Sequence, residues 1–289
     1  MNYRHQFHAG NFADVVKHAL LVPLIRALQQ KAKGFLFLDT HAGRGRYDLG
    51  AAGRGDTLER RPEWPEGIGR LWTRDDLQGA LADYRELVRR FDREAGNTAE
   101  TCRYYPGSPA LAGMLARSQD RLALCEKHPD EFLALSAELR ETPRASVHEM
   151  DGYVAVRAML PPPERRALVL IDPPFEAKGE FAAIVTAVRE GLHRLPAGTF
   201  AIWYPLTERA RVDRFFEELG ALTLPPTLML ELTVAGADAG PRMNGCGLVV
   251  INPPWRFEET ARPLLVELTG LLAQSPGAAH RLEWLVPER

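Results

Sequence analysis

The stretch from Arg166 to Glu176 reads Arg-Ala-Leu-Val-Leu-Ile-Asp-Pro-Pro-Phe-Glu and holds the residues best suited to chemistry. Ala167 to Ile171 is a continuous apolar run with β-branched members, the pattern of a buried parallel strand. Pro173 and Pro174 cannot continue a strand ladder, so the chain leaves the sheet there. Asp172, a stiff turn and the ring of Phe175 are thus presented past a strand's carboxyl end, where open α/β sheets bind ligands. This arrangement suits methylation of an exocyclic amine on a planar base. The amine lone pair is delocalised into the ring, so the nitrogen is a poor nucleophile. Asp172 can accept one N–H and the Pro173 carbonyl the other, freeing the lone pair, while Phe175 stacks on the base. The same residues also read as a strand closed by a Pro-Pro turn with a capping Asp.

A site of this kind needs a sheet to carry it. Phe35-Leu36-Phe37-Leu38-Asp39 is a strand that runs into Thr40-His41-Ala42-Gly43-Arg44-Gly45-Arg46. A strand followed by a glycine loop is how α/β folds hold a nucleotide-like cofactor. Gly-x-Gly-x-x-Gly is absent, since position 48 is Asp, and no Walker Lys-Ser/Thr follows, which argues against NAD and ATP. Arg121 to Glu126 is a second strand ending in an acid, the position that commonly meets ribose hydroxyls. Ala145 to Glu149 is a third. Asp151-Gly152 after it reads either as an adenine contact or as a simple turn. Asn11 is placed to cap a helix reaching Gln30, and Ser108-Pro109 to open another, with Ser108 as cap. With the run at Ala167 and strands near 199–204, 228–233 and 247–251, the chain reads as α/β: a Rossmann-like seven-stranded sheet with an antiparallel pair at its end. Residues 48–103 break the alternation and form an inserted helical subdomain. The division is 1–47 for the N-terminal helix, first strand and cofactor loop, 48–103 for the insertion, and 104–289 for the remainder.

Composition sets the bounds. The chain has 289 residues and 45% hydrophobic residues, enough for a substantial core. No apolar run has transmembrane length, and the polar start carries no signal peptide. Cys102, Cys125 and Cys246 are isolated and odd in number, which fits a reducing cytoplasm. Net charge is only −2, yet residues 1–61 hold ten Lys/Arg against five acids. That excess reads either as a face for phosphates or as ordinary surface charge. His5, His8, His18 and His41 lack metal-ligand spacing, so no metal is expected. Asn252-Pro253-Pro254-Trp255 mimics the Asp172 motif. It follows the last strand, far from the cofactor loop, and is read as a decoy.

Several motifs together resemble one family. They are Tyr3-Arg4-His5-Gln6-Phe7-His8-Ala9-Gly10-Asn11, Asp14-Val15-Val16-Lys17-His18, Leu38-Asp39-Thr40-His41-Ala42-Gly43, Tyr104-Tyr105-Pro106-Gly107-Ser108-Pro109 and Ile171-Asp172-Pro173-Pro174. Over essentially the whole chain the sequence is similar to the RlmJ-type 23S ribosomal RNA adenine-N6 methyltransferases, within class I S-adenosylmethionine-dependent methyltransferases. The resemblance implies a cytoplasmic monomer that uses S-adenosylmethionine on 23S ribosomal RNA free of the assembled ribosome, with the insertion helping to bind RNA. It implies His18, His41, Ser108, Glu126, Asp151, Gly152 and Asp172 as cofactor-binding. Asp172, Pro173 and Phe175 are expected to form the catalytic turn. Tyr3, His5 and Lys17 belong to an N-terminal motif closing over cofactor and base, with Lys17 as phosphate partner and Tyr3 as stacking ring. Two positions depart from the family: Phe175 stands where Tyr is common, and Phe12 where His is common. DNA adenine, another RNA or a protein glutamine remain alternative targets, and a non-catalytic RNA binder is the alternative of another class.

Overall fold

A computed structural model describes residues 8–52, 62–236 and 243–288. The first helix, α1 (Phe12–Gln29), starts where expected: the Asn11 side chain accepts hydrogen bonds from the Ala13 and Asp14 backbone N–H, both at 3.0 Å. Its residues are buried on every side from Phe12 to Ile25, so α1 is a core helix and not an amphipathic surface one. Next come β1 (Leu36–Asp39), β2 (Arg46–Asp48), α2 (Leu49–Ala52), α3 (Ile68–Trp72), α4 (Gly79–Glu94) and β3 (Tyr104–Pro106). The chain then alternates through α5 (Ser108–Leu115), β4 (Arg121–Glu126), α6 (Pro129–Glu138), β5 (Ala145–Glu149), α7 (Gly152–Met159) and β6 (Ala167–Ile171). It closes with α8 (Glu180–Arg194), β7 (Thr199–Leu206), α9 (Arg209–Gly220), β8 (Thr227–Thr233), β9 (Gly245–Ile251), α10 (Phe257–Leu272) and β10 (Ala279–Val286).

The main sheet has the order β10-β8-β9-β7-β6-β1-β4-β5. From β7 to β5 all neighbours are parallel, whereas β9 runs antiparallel to β7 and β8, and β10 antiparallel to β8. The described sheet therefore has eight strands, one more than the seven expected. The eighth is β10, a C-terminal edge strand in which Leu282, Trp284 and Val286 lean inward between exposed Arg281, Glu283 and Leu285. Such period-two alternation marks a strand half in water. Every residue of β1 and β6 is buried, as central parallel strands demand. One apolar cluster joins α1, the insertion and α10 to one face of the sheet; a second joins α7, α8 and α9 to the other.

The insertion is only half solvated. In α4, Leu81, Tyr84, Leu87, Val88 and Phe91 form a helical stripe inside the same cluster as α1. Its end is tied to the strand that follows it, since Asp92 accepts the backbone N–H of Arg103 at 3.1 Å and of Tyr104 at 2.6 Å. β3 in turn pairs antiparallel with β2, with Tyr47 opposite Tyr105.

Candidate active site

Three adjacent strands end in acids or next to them: Asp39 at β1, Glu126 at β4 and Asp172 just past β6. The chain moves from β1 outward to β4 and β5, then returns to β6 on the other flank of β1. Reversal of strand order at that point opens the crevice where doubly wound sheets take ligands. The expectation that Asp172 sits beside the cofactor loop's strand is met, because β6 pairs with β1.

Asp172 is held from the N-terminal helix. Lys17 Nζ lies 2.5 Å from Asp172 Oδ2 and 2.9 Å from Asp14 Oδ1. Asp14 also accepts the Gly10 N–H at 3.0 Å, across a loop in which Gly10 has φ +73°. Lys17 is 6% exposed. This corrects the expectation of a phosphate partner: the ammonium is enclosed between two carboxylates and faces no open surface. Burial pulls the Lys17 pKa down, but Asp14 and Asp172 outweigh it and hold the amine above the ordinary lysine range. The basic excess of residues 1–61 is also partly offset at the surface, with Arg26 paired to Asp83, Arg44 to Glu131 and Arg46 to Glu138.

Around β1 the groups interlock. Ser108 does not cap its helix, because Gly107 takes that position; instead its hydroxyl donates to Asp39 Oδ2 at 2.7 Å. Burial pushes the Asp39 pKa up to about 7, against the opposing pull of the Ser108 hydrogen bond. His41 Nδ1 lies 2.8 Å from the Thr40 hydroxyl, and its ring meets Tyr153 edge-on at 5.1 Å. Burial lowers its pKa to about 4, so it is neutral at pH 7. Glu126 accepts the Gly43 N–H at 2.8 Å and the His128 N–H at 2.7 Å, fixing the glycine loop to the end of β4. Asp151 caps α7 through the Tyr153 N–H at 3.0 Å and pairs with Lys127 at 3.0 Å. Gly152 is obligatory for packing: an added Cβ would stand 1.9 Å from the Thr40 carbonyl oxygen.

The Asp172–Phe175 turn is held by its neighbours. Phe175 takes φ +52°, unusual for an aromatic residue, and packs against Phe181 at 5.1 Å and Trp203 at 5.7 Å. Beyond it, Glu180 accepts the Tyr153 hydroxyl at 2.5 Å. His18 is buried in α1, its Nδ1 2.8 Å from the Tyr105 hydroxyl. Tyr3 and His5 lie outside the described residues. Asn252, the decoy, sits at the opposite edge of the parallel strands. Its amide donates to the Pro196 and Gly198 carbonyls at 2.8 and 2.9 Å, a structural brace far from Asp172.

The family description "Ribosomal RNA large subunit methyltransferase D, RlmJ" matches residues 32–286. The chain belongs to this family. RlmJ relatives from Escherichia coli and Haemophilus influenzae, both named ribosomal RNA large subunit methyltransferase J, are 41% and 40% identical over 288 residues, spanning 100% of this chain and of each relative. The crystal structure of a Legionella pneumophila protein superposes with a TM-score of 0.86 at 35% identity, covering 96% of this chain and 98% of that one. The expectation of an S-adenosylmethionine-dependent adenine-N6 methyltransferase of 23S ribosomal RNA, on a class I methyltransferase fold, therefore stands. The donor set fits the cofactor. S-adenosylmethionine carries a sulfonium, an ammonium, ribose hydroxyls and an exocyclic amine, and the strand ends offer the carboxylates of Glu126, Asp151 and Asp172 as acceptors.

Sequence reasoning named Asp172, His18, His41, Ser108, Glu126, Asp151 and Gly152 as cofactor-binding; in the structure Asp172, His41, Glu126, Asp151 and Gly152 follow or end the parallel strands, Ser108 bonds Asp39 at the end of β1, and His18 lies inside α1 against Tyr105. It missed Asp14, Asp39, Tyr84, Tyr105, Tyr153 and Glu180. Asp14, Asp39 and Tyr105 stood inside quoted motifs without roles. Tyr84 and Glu180 had no local signal, since only the tertiary fold brings them near.

Proposed function

We propose that Asp172 and the Pro173 carbonyl orient the N6 amine of one adenine in 23S ribosomal RNA for direct in-line methyl transfer. The observation that carries this reading is the Lys17 clamp on Asp172 at the carboxyl end of β6. Lys17 binds Oδ2 and fixes the plane of the carboxylate; Oδ1 is the oxygen assigned to an amine N–H. Bound S-adenosylmethionine supplies an electrophilic methyl. The chain's part is to accept both amine N–H bonds, so that the nitrogen rehybridises and its lone pair points along the line of attack. As the nitrogen–carbon bond forms, the extra proton on nitrogen passes to Asp172 or to water. No covalent enzyme intermediate is involved.

His18, His41, Ser108, Glu126, Asp151 and Gly152 are assigned to the cofactor pocket: Glu126 to ribose hydroxyls, Asp151 to the adenine end. Tyr3, His5 and Lys17 belong to the motif that closes over cofactor and base. Phe175 stacks on the target base, with Phe181 and Trp203 behind it. The insertion, 48–103, docks RNA that is free of the assembled ribosome, and a target that is single-stranded or loosely paired is the easier one to extrude. The enzyme acts as a cytoplasmic monomer; among the described residues no helix is long and apolar enough to cross a membrane.

The test uses labelled S-adenosylmethionine with unmodified 23S RNA and duplex DNA, followed by nucleoside analysis. Label should appear as N6-methyladenosine from RNA alone. Asp172→Asn should lower turnover by about 10² to 10³ while cofactor affinity, read by calorimetry, stays within a few-fold. Full turnover in that variant would remove Asp172 from the reaction, and label in DNA would move the target.

A further inference from the structure

We propose that Tyr105 and Tyr84 are positioning residues for cofactor binding, acting through His18 and linking the insertion to the cofactor pocket. The inference rests on the assignment of His18 to that pocket. The three side chains come from three elements, α1, α4 and β3, and meet in one buried line. His18 Nδ1 lies 2.8 Å from the Tyr105 hydroxyl, and that hydroxyl lies 2.8 Å from the Tyr84 hydroxyl. The His18 and Tyr105 rings stack at 5.6 Å and 26°. Tyr84 and Tyr105 are 0% exposed and His18 is 1% exposed.

Stability accounts for only part of what these hydroxyls do. A buried phenol costs free energy unless its O–H is paired; replacing both phenols by phenyl rings is near-neutral for the Tyr–Tyr pair and costs only the hydrogen bond to buried His18 Nδ1. A Phe–Phe pair would fill this part of the core equally well. What the hydroxyls add is direction. Burial pushes both phenol pKa values up, so both keep their protons at any working pH. When Tyr84 donates to Tyr105 and Tyr105 to His18 Nδ1, the neutral imidazole carries its proton on Nε2. Its other edge then becomes a hydrogen-bond donor with a fixed orientation, as when a second partner sets the tautomer of a functional histidine. Stacking holds the plane of the ring and the hydrogen bond holds its rotation.

The link to the insertion is equally concrete. Tyr84 belongs to the buried stripe of α4, and Asp92 on the same helix fixes the start of β3 through the Arg103 and Tyr104 N–H groups. On β3, Tyr104 is partly exposed beside Arg103 and Arg46, whereas its neighbour Tyr105 turns inward to His18. Alternation along one short strand therefore puts a surface ring and a pocket-positioning ring on adjacent residues.

Calorimetric titration of the full-length protein with S-adenosylhomocysteine, in the absence of RNA, tests this. Tyr105→Phe should weaken binding roughly fivefold to tenfold, the scale of one hydrogen bond, and Tyr84→Phe about twofold to fivefold. In a His18→Ala background, Tyr84→Phe combined with Tyr105→Phe should melt close to the His18→Ala protein. In a His18→Ala background neither tyrosine change should weaken binding further. Unchanged affinity in Tyr105→Phe overturns the proposal. So does an equal loss with and without His18, which would show that the tyrosines act elsewhere. Unchanged affinity in His18→Ala alone would instead remove His18 from the pocket and take the proposal with it.

Discussion

Replacing Lys17 by Met keeps the length and apolar stem of the side chain and removes the charge that two acids share. The side chains concerned are 7% exposed for Lys17, 4% for Asp14 and 16% for Asp172. Breaking a buried ion pair by removing one partner costs about 3–5 kcal/mol, because the remaining charge stays uncompensated. Two features place this case near the lower end. Asp14 keeps the Gly10 N–H, and Asp172 lies close enough to the surface to regain water. A loss of about 3 kcal/mol corresponds to a drop in melting midpoint of roughly 6–12 °C, using the scale for chains of somewhat smaller size. Adding Asp14→Asn removes the more deeply stranded charge and should restore about half of that loss. Turnover should not follow: with no ammonium on Oδ2, Asp172 is free to rotate, and methyl transfer stays low in the double variant although the fold has recovered.

The assay pairs thermal melting with single-turnover methyl transfer on 23S RNA. A Lys17→Met protein that melts within about 2 °C of the original would refute the buried clamp, since the cost assigned to such a charge is well above that. A double variant that regains both stability and turnover would leave Lys17 with a purely structural role. Within the ordinary pH range the clamp is not a switch. The raised Lys17 pKa means its stabilising charge is fully present below the ordinary lysine range and is lost only as pH rises through the higher folded value.

Asp39 and His41 should oppose each other in the pH dependence of stability. Asp39, raised to about 7, stabilises at low pH and loses that contribution as pH rises between about 4 and 7, whereas His41, lowered to about 4, stabilises above about 6.5 and loses its contribution as pH falls. Asp39→Asn should therefore leave stability rising with pH over that interval and His41→Asn leave it falling, as read by urea unfolding at several pH values; parallel slopes in both variants would contradict the assigned protonation states. Gly152→Ala should destabilise by about 3 kcal/mol or prevent folding, since its Cβ would meet the rigid Thr40 backbone at 1.9 Å, and a variant with normal melting and cofactor affinity would show that the two segments separate freely. Asn252→Ala should cost about 1–3 kcal/mol from two carbonyls left without their donor and leave turnover per folded molecule unchanged, whereas lost turnover at full stability would return the second Pro-Pro motif to the catalytic candidates.

Much of the site was legible because its residues sit at strand ends, and strand ends announce themselves. An apolar run stops, an acid follows, and proline or glycine breaks the ladder; Asp172, Glu126 and the Gly43 loop all read this way. Two later elements left signals of the same kind that went unread. Phe257, Ala261, Leu264, Leu265, Leu268 and Leu272 recur at helical spacing in α10, and Leu282, Trp284 and Val286 alternate in β10. β10 is the strand that raises the expected seven to eight. The expected phosphate contact of Lys17 and helix cap of Ser108 failed for another reason. A lysine near a chain start reads as surface charge, and a serine before proline reads as a helix cap. What decides each case is a carboxylate supplied from more than twenty residues away, 155 positions distant for Lys17 and 69 for Ser108.

That contrast bears on how the active site is built. The strand-end acids supply chemistry that any class I sheet can offer, whereas what makes this crevice particular arrives sideways, from α1 and the insertion. Lys17 reaches Asp172 and Tyr84 reaches Tyr105 and His18, both from helices packed on one face of the sheet within one apolar cluster. A loop could vary over such a site without touching it, but α1 cannot, since it is enclosed from Phe12 to Ile25. Any shift of α4 against α1 would move the Tyr84 hydroxyl relative to Tyr105 and His18. Two adjacent residues of α1 thus carry both buried contacts, Lys17 to Asp172 and His18 to the tyrosine pair.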